Sequence, residues 1–285
     1  MGTDRERRNW RLIRSGFGSG AWNMALDQAL LEAVARGASG PVLRLYRWQP
    51  ATVTLGYAQR GEQVVNLEAC RRRGFEVVRR CTGGRAVLHD REVTYAVIAP
   101  TGDGLFPHSV LASYRLIAEA LADVYRGLGL DVILADQRHS GVHDDAAGRS
   151  ACFTAPGQYE LLYRGCKLAG CAQKRIPGAF LQHGSLPVDL DLEALYDALD
   201  TERRLTPAQG ARLLAGQVGW INRWLEQPVA IETVEKMLVE ACAQRFDVVF
   251  TEDEPTGQEK RRAETLLTEN YGNDAWNLQG IVEES

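Results

Sequence analysis

The chain has 285 residues, 45% hydrophobic and 25% charged, which excludes collagen-like and disordered classes and supplies the apolar surface of one large domain. A formal net charge of −4 argues against a general nucleic-acid binder, and no run approaches the roughly 18 apolar residues of a membrane-spanning helix, so neither partner is expected. The arginines at 5, 7, 8, 11 and 14 precede no secretory-type apolar stretch, which predicts a cytoplasmic protein with six reduced cysteines.

In chain order, Asn23 is placed to cap a helix over 23–35, with Leu26, Leu30, Leu31 and Val34 on its apolar face and Gly37 as its stop. Residues 42–48 and 52–57 read as strands about the Gln49-Pro50 turn, and 64–73 as a helix ended by Gly74. Strands follow at 75–80, 86–88 and 93–99, then an amphipathic helix over 109–128 and a strand over 131–134. Residues 137–149 form a polar loop, and 159–163 with 167–173 a hairpin about Arg164-Gly165. A strand over 179–188 leads to helices at 192–199, 207–225 and 231–245, then a polar stretch with a helix over 258–270. The irregular alternation predicts an α+β fold with mixed, largely antiparallel sheets flanked by helices. The expected organisation is one catalytic domain over 1–250 and a polar tail or small helical appendage over 251–285.

Four segments carry chemistry. In Arg79-Arg80-Cys81-Thr82-Gly83-Gly84-Arg85-Ala86-Val87-Leu88-His89-Asp90, a strand feeds paired glycines whose N–H groups can approach an oxygen-rich ligand without Cβ obstruction. It is neither a Walker A loop nor a dinucleotide fingerprint, and a Gly-Gly pair alone is usually a tight turn. In Ser150-Ala151-Cys152-Phe153-Thr154-Ala155-Pro156-Gly157, the thiol stands before a turn, whereas most cysteines are small buried hydrophobes. Lys167-Leu168-Ala169-Gly170-Cys171-Ala172-Gln173 offers a cation on a strand, though strand lysines usually face solvent. Gln182-His183-Gly184-Ser185 adds a polar strand to the same cleft. Cys166, Cys171 and His183 match no usual zinc spacing, so no metal is expected. Basic runs at 71–73, 79–80 and 174–175 read either as solvated element ends or as a docking face for acidic proteins.

The ordered set resembles the lipoate–protein ligase and octanoyltransferase family from residue 22 to 191, extending toward 250. Its elements are Ala21-Trp22-Asn23-Met24-Ala25-Leu26-Asp27, Trp48-Gln49-Pro50, the Arg-Arg-x-Thr-Gly-Gly-Arg run, Lys-x-x-Gly-x-Ala and His-Gly-Ser-Leu. The resemblance implies a mixed-sheet fold shared with biotin ligases, and an acyl-binding site drawing on Arg80, Gly83, Gly84, Arg85, His89, Gly170, Ala172 and His183. It implies that Lys167 contacts the acyl carbonyl. The segment around Cys152 is similar to the Gram-positive-type octanoyltransferases, in which a cysteine ahead of the hairpin carries the acyl group. That implies octanoyl transfer from octanoyl-acyl carrier protein to a lysine of a lipoyl-carrier protein, such as the glycine-cleavage H protein, with no cofactor. ATP-dependent ligation and amidotransfer between carrier proteins are the family's other reactions. Cys166 and Cys171 depart from the basic or small polar residues expected there.

Overall fold

The computed structural model describes residues 7–102, 104–135, 159–202 and 205–280. The chain runs β1 (Arg8–Gly18), α1 (Gly20–Ala35), β2 (Val42–Trp48), β3 (Thr52–Leu55), α2 (Gly61–Val64), α3 (Leu67–Arg73), β4 (Glu76–Arg79), β5 (Val87–His89), β6 (Glu92–Pro100) and α4 (Val110–Gly127). It continues with β7 (Ile133–Ala135), β8 (Glu160–Tyr163), β9 (Cys166–Lys167), β10 (Gly170–Ile176), β11 (Ala179–Pro187), α5 (Leu192–Leu199) and α6 (Pro207–Leu214). A short 3-10 turn, Ile221–Arg223, precedes α7 (Ile231–Phe246), β12 (Val248–Asp253) and α8 (Gly257–Leu266). Wide turns over Leu267–Tyr271 and Ala275–Gln279 follow.

Six strands build the central sheet in the order β10-β11-β6-β2-β1-β12, antiparallel from β10 to β2 and parallel from β2 to β12. Both faces are covered, so β6 and β11 are buried along nearly their whole length instead of alternating in and out. On one face α4 and α7 pack Ile117, Leu121, Val234, Leu238 and Phe246 against Leu43, Val97 and Phe180. On the other, Leu26 and Leu30 of α1 join Ala263, Leu266, Tyr271 and Trp276 over Val42, Ala96, Ile98 and Leu181. A second sheet, β4-β3-β5, is backed by α5 and α6 through Leu195, Ala198 and Leu214. A third, β7-β8-β9, is antiparallel.

Several expectations shift. Ser19, not Asn23, caps α1, its Oγ accepting from the Trp22 amide; Asn23 is buried one turn in and donates to the Gly18 and Arg47 carbonyls. Strand β1 was hidden by its arginines, whose charges reach Asp253, Glu252 and Glu259 while Trp10, Leu12 and Ile13 enter the core. The strand expected over 167–173 is two: β9 pairs with β8, and after Leu168-Ala169 the chain enters the central sheet as β10. Helix α6 ends at Leu214, and Gly219 is packed so tightly that a Cβ there would lie 2.3 Å from the Trp224 ring. The boundary drawn at residue 250 falls within β12, which pairs in parallel with β1. The loop expected over 137–149 lies outside the described residues.

Candidate active site

A small apolar pocket opens where α1, the central sheet and β3–β5 converge. Met24, Tyr46, Trp48 and Val87 line it beside Thr54, Arg80, His89 and Thr94, and Gly170, Cys171, Ala172, His183 and Gly184 close it along β10 and β11. Gly184 is tightly packed, since a Cβ there would lie 2.8 Å from both the Gly170 carbonyl oxygen and the Tyr95 ring.

Two buried carboxylates organise its walls. Asp27, on α1, takes Arg44 Nη1 at 2.6 Å, the Tyr46 hydroxyl at 2.9 Å and His183 Nδ1 at 2.9 Å. Burial opposes its charge, but the Arg44 guanidinium and the His183 contact prevail and hold its carboxyl below the usual range. Burial pushes the His183 ring down, so its Nδ1–H donates to Asp27 and its Nε2 accepts from the Thr82 hydroxyl at 2.7 Å. Glu92 repeats the design: it binds His89 Nδ1 at 2.7 Å, the Ser185 hydroxyl at 2.5 Å and the Thr94 hydroxyl. His89 stacks on Trp48 with ring centroids 4.3 Å apart, and its Nε2 meets Thr54 Oγ1 at 2.9 Å. Despite burial, these partners hold the Glu92 carboxyl down.

The glycine loop is braced from inside. Arg80 donates to the Gly83 and Arg85 carbonyls at 2.8 Å each and to Thr54 Oγ1 at 3.0 Å. Gly84 takes a φ of +95°, a backbone state that favours glycine. Gly83 and Gly84 are exposed, open space surrounds a Cβ built on Gly83, and their N–H groups donate to no acceptor among the described residues. Arg85 is half-buried beside them.

Lys167 is 3% exposed, against the usual habit of a strand lysine, because its ammonium is ion-paired with Glu160 across the β8–β9 hairpin. Its backbone is pinned by Gln217 and Gly219, each at 2.8–2.9 Å. The residues expected to bind acyl therefore divide: Arg80, His89, Gly170, Ala172 and His183 line one pocket, Gly83, Gly84 and Arg85 form an adjoining loop, and Lys167 belongs to the third sheet, where its charge still reaches the pocket through Cys171. Cys152 lies outside the described residues. Burial raises the thiols of Cys81 and Cys171 to about 11, so neither rivals a reactive nucleophile near neutral pH. Among the described residues no three His, Cys, Asp or Glu side chains gather into a metal site. Of the basic runs, Arg79 and Arg80 are buried and form no docking face, whereas the exposed Arg72 and the half-buried Arg73 pair with Asp197 at the surface. Sequence reading missed Asp27, Arg44 and Glu92; the available signal was a charge inside an otherwise apolar helix or strand.

An apolar pocket beside a braced glycine loop, on this mixed sheet, fits a catalytic domain of the lipoate-ligase type. The fold matches the bi-partite lipoate protein ligase of Thermoplasma acidophilum with a TM-score of 0.79 at 23% identity, covering 97% of this chain and 99% of that one. It also matches lipoate-protein ligase A bound with ATP, with a TM-score of 0.77 at 24% identity, covering 96% and 100%. The chain belongs to the lipoyl protein ligase A/B catalytic domain family, whose model matches residues 19–243. It is 42% identical over 271 residues to Octanoyltransferase LipM of Kyrpidia tusciae, covering 95% of this chain and 98% of that protein. It is 37% identical over 272 residues to Octanoyltransferase LipM of Geobacillus kaustophilus, with the same coverage. The Staphylococcus aureus protein of that name is 34% identical over 269 residues, covering 94% and 97%.

Proposed function

We propose that the protein is a cytoplasmic octanoyltransferase of protein lipoylation that carries the acyl group on Cys152. The observation that carries the reading is the 42% identity, over 95% of the chain, to a protein named for octanoyl transfer. The pocket supports it: apolar walls suit an alkyl chain, and exposed glycine amides at its edge suit a carbonyl oxygen. The Cys152 thiolate attacks the thioester carbon of octanoyl-acyl carrier protein. The new C–S bond forms as the bond to the carrier's sulfur breaks, and that sulfur leaves as a thiol. A lysine amine of the lipoyl-carrier protein, the glycine-cleavage H protein by preference, then attacks octanoyl-Cys152, giving an amide and restoring the thiol. Gly83 and Gly84 N–H groups and Lys167 steady the oxyanion, and Arg80, Arg85, His89, Gly170, Ala172 and His183 shape the acyl site. The thioester already stores the activation, so no cofactor is needed.

The test is the intact mass of the protein after mixing with octanoyl-acyl carrier protein without ATP, beside Cys152→Ala. One hydroxylamine-labile octanoyl group on the wild type alone, then transferred to a carrier-protein lysine, is expected. Absence of the adduct, with transfer that needs Mg-ATP, would replace this reading with acyl-adenylate chemistry.

A further inference from the structure

We infer that Arg79 is a positioning residue through which the C-terminal segment 276–278 sets the Gly83-Gly84 loop; the loop's acyl-binding role rests on the function proposed above. Arg79 is 1% exposed, and no carboxylate stands among its partners. Its guanidinium donates to the carbonyls of Gly56 at 3.1 Å, Tyr57 at 2.7 Å and Gln59 at 2.5 Å on one side. On the other it donates to the carbonyls of Trp276 at 2.7 Å and Leu278 at 3.2 Å. The Arg79 backbone N–H donates to Asn277 Oδ1 at 3.0 Å, and Asn277 Nδ2 donates to the Tyr271 carbonyl at 2.8 Å. A planar fork of N–H donors can gather carbonyls from two directions at once, whereas a lysine ammonium has three donors on one point.

The near side of this clamp abuts the glycine loop. A Cβ on Gly56 would lie 1.9 Å from the Gly84 carbonyl oxygen, and the Tyr57 N–H donates to the Thr82 carbonyl at 2.8 Å. Thr82 in turn holds His183. The chain of contact is 276–278, Arg79, 56–59, 82–84, made largely of backbone atoms, so a shift of the first link reaches the last. The C-terminal end of that chain lies beyond the stretch the family model matches, 19–243.

The experiment compares the full-length protein with Arg79→Lys and Asn277→Ala by amide hydrogen exchange and by octanoyl-transfer kinetics. Arg79→Lys strands carbonyls that a charged donor held, so about tenfold faster exchange is expected in peptides over 55–60, where the Tyr57 N–H is bonded to the Thr82 carbonyl and so reports the contact with the loop, with kcat down about tenfold. Exchange in β6 and β11 and the donor KM stay near wild type. Asn277→Ala, which leaves Arg79 in place, acts in the same direction more weakly and serves if the lysine variant does not fold. Faster exchange confined to 275–280, uniform acceleration through β6 and β11, or a loosened loop with unchanged kcat would each overturn the inference. Absence of octanoyl transfer by the wild type instead defeats the proposed reaction, and the exchange measurements still decide the coupling.

Discussion

Asp27 and Glu92 each keep a carboxylate inside the core, and each is tied to a histidine and a hydroxyl. Such groups set the pH response. The His183 pKa is held below its ordinary 6.5, so between the two values the unfolded chain binds the extra proton and stability falls as pH drops below about 6.5. The depressed Asp27 and Glu92 carboxyls act lower: the unfolded chain protonates first, and their contribution is lost below about pH 4.5. Urea midpoints measured from pH 4 to 7.5 are expected to hold until about 6.5 and then decline; His183→Gln removes the decline that begins at about 6.5 and leaves the carboxylate part below about 4.5. An unchanged slope in the variant would assign the response to another group. The Asp27 pairing was not legible locally. Asp27 meets His183 across 156 residues, so sequence spacing could mark each side chain but not the pair.

At the scale of elements, the proposed acyl site is a junction between a loop and a strand that changes sheets. Gly56 is tightly constrained, because its Cβ position is occupied by the Gly84 carbonyl. Gly56→Ala must push that loop away. The expected cost is about 1–3 kcal/mol of stability, with acyl loading slowed by more than about tenfold because near-ångström displacement of positioning groups is expensive. Melting and single-turnover loading measure the two effects; wild-type loading would remove the loop from the acyl site. The paired glycines alone read as a tight turn; they were readable as a site only in company with Arg80, Arg85 and His89 in one short stretch. The switch at Leu168-Ala169 was not, since both halves have strand-like composition and only the pairing partners differ.

Taken whole, the molecule closes on itself through its ends. Strand β12 pairs with β1, and Ala263, Leu266, Tyr271 and Trp276 complete the core over α1. Trp276 is buried, packs edge-on against Tyr57 and Tyr271, and donates toward the Arg79 carbonyl. Trp276→Ala is expected to cost about 3–5 kcal/mol in denaturant unfolding, the range of a large core truncation. A loss below about 1 kcal/mol, as at a surface site, would mean the C-terminal segment is not part of the cooperative unit. No helix among the described residues is long and apolar enough to cross a membrane.

By itself the sequence determined the mixed α+β class, most helices and strands of the first two hundred residues, and the two segments, 79–90 and 165–173, that feed the site. Apolar periodicity and glycine placement are local properties, and they survive without knowledge of partners. Tertiary structure alone decided which charges go inside. Arg44, Arg79 and Glu92 look like surface residues until Asp27, a ring of carbonyls, and Ser185 respectively are brought to them from elsewhere in the chain. A buried charge is tolerated only where partners converge, and convergence is a property of the fold.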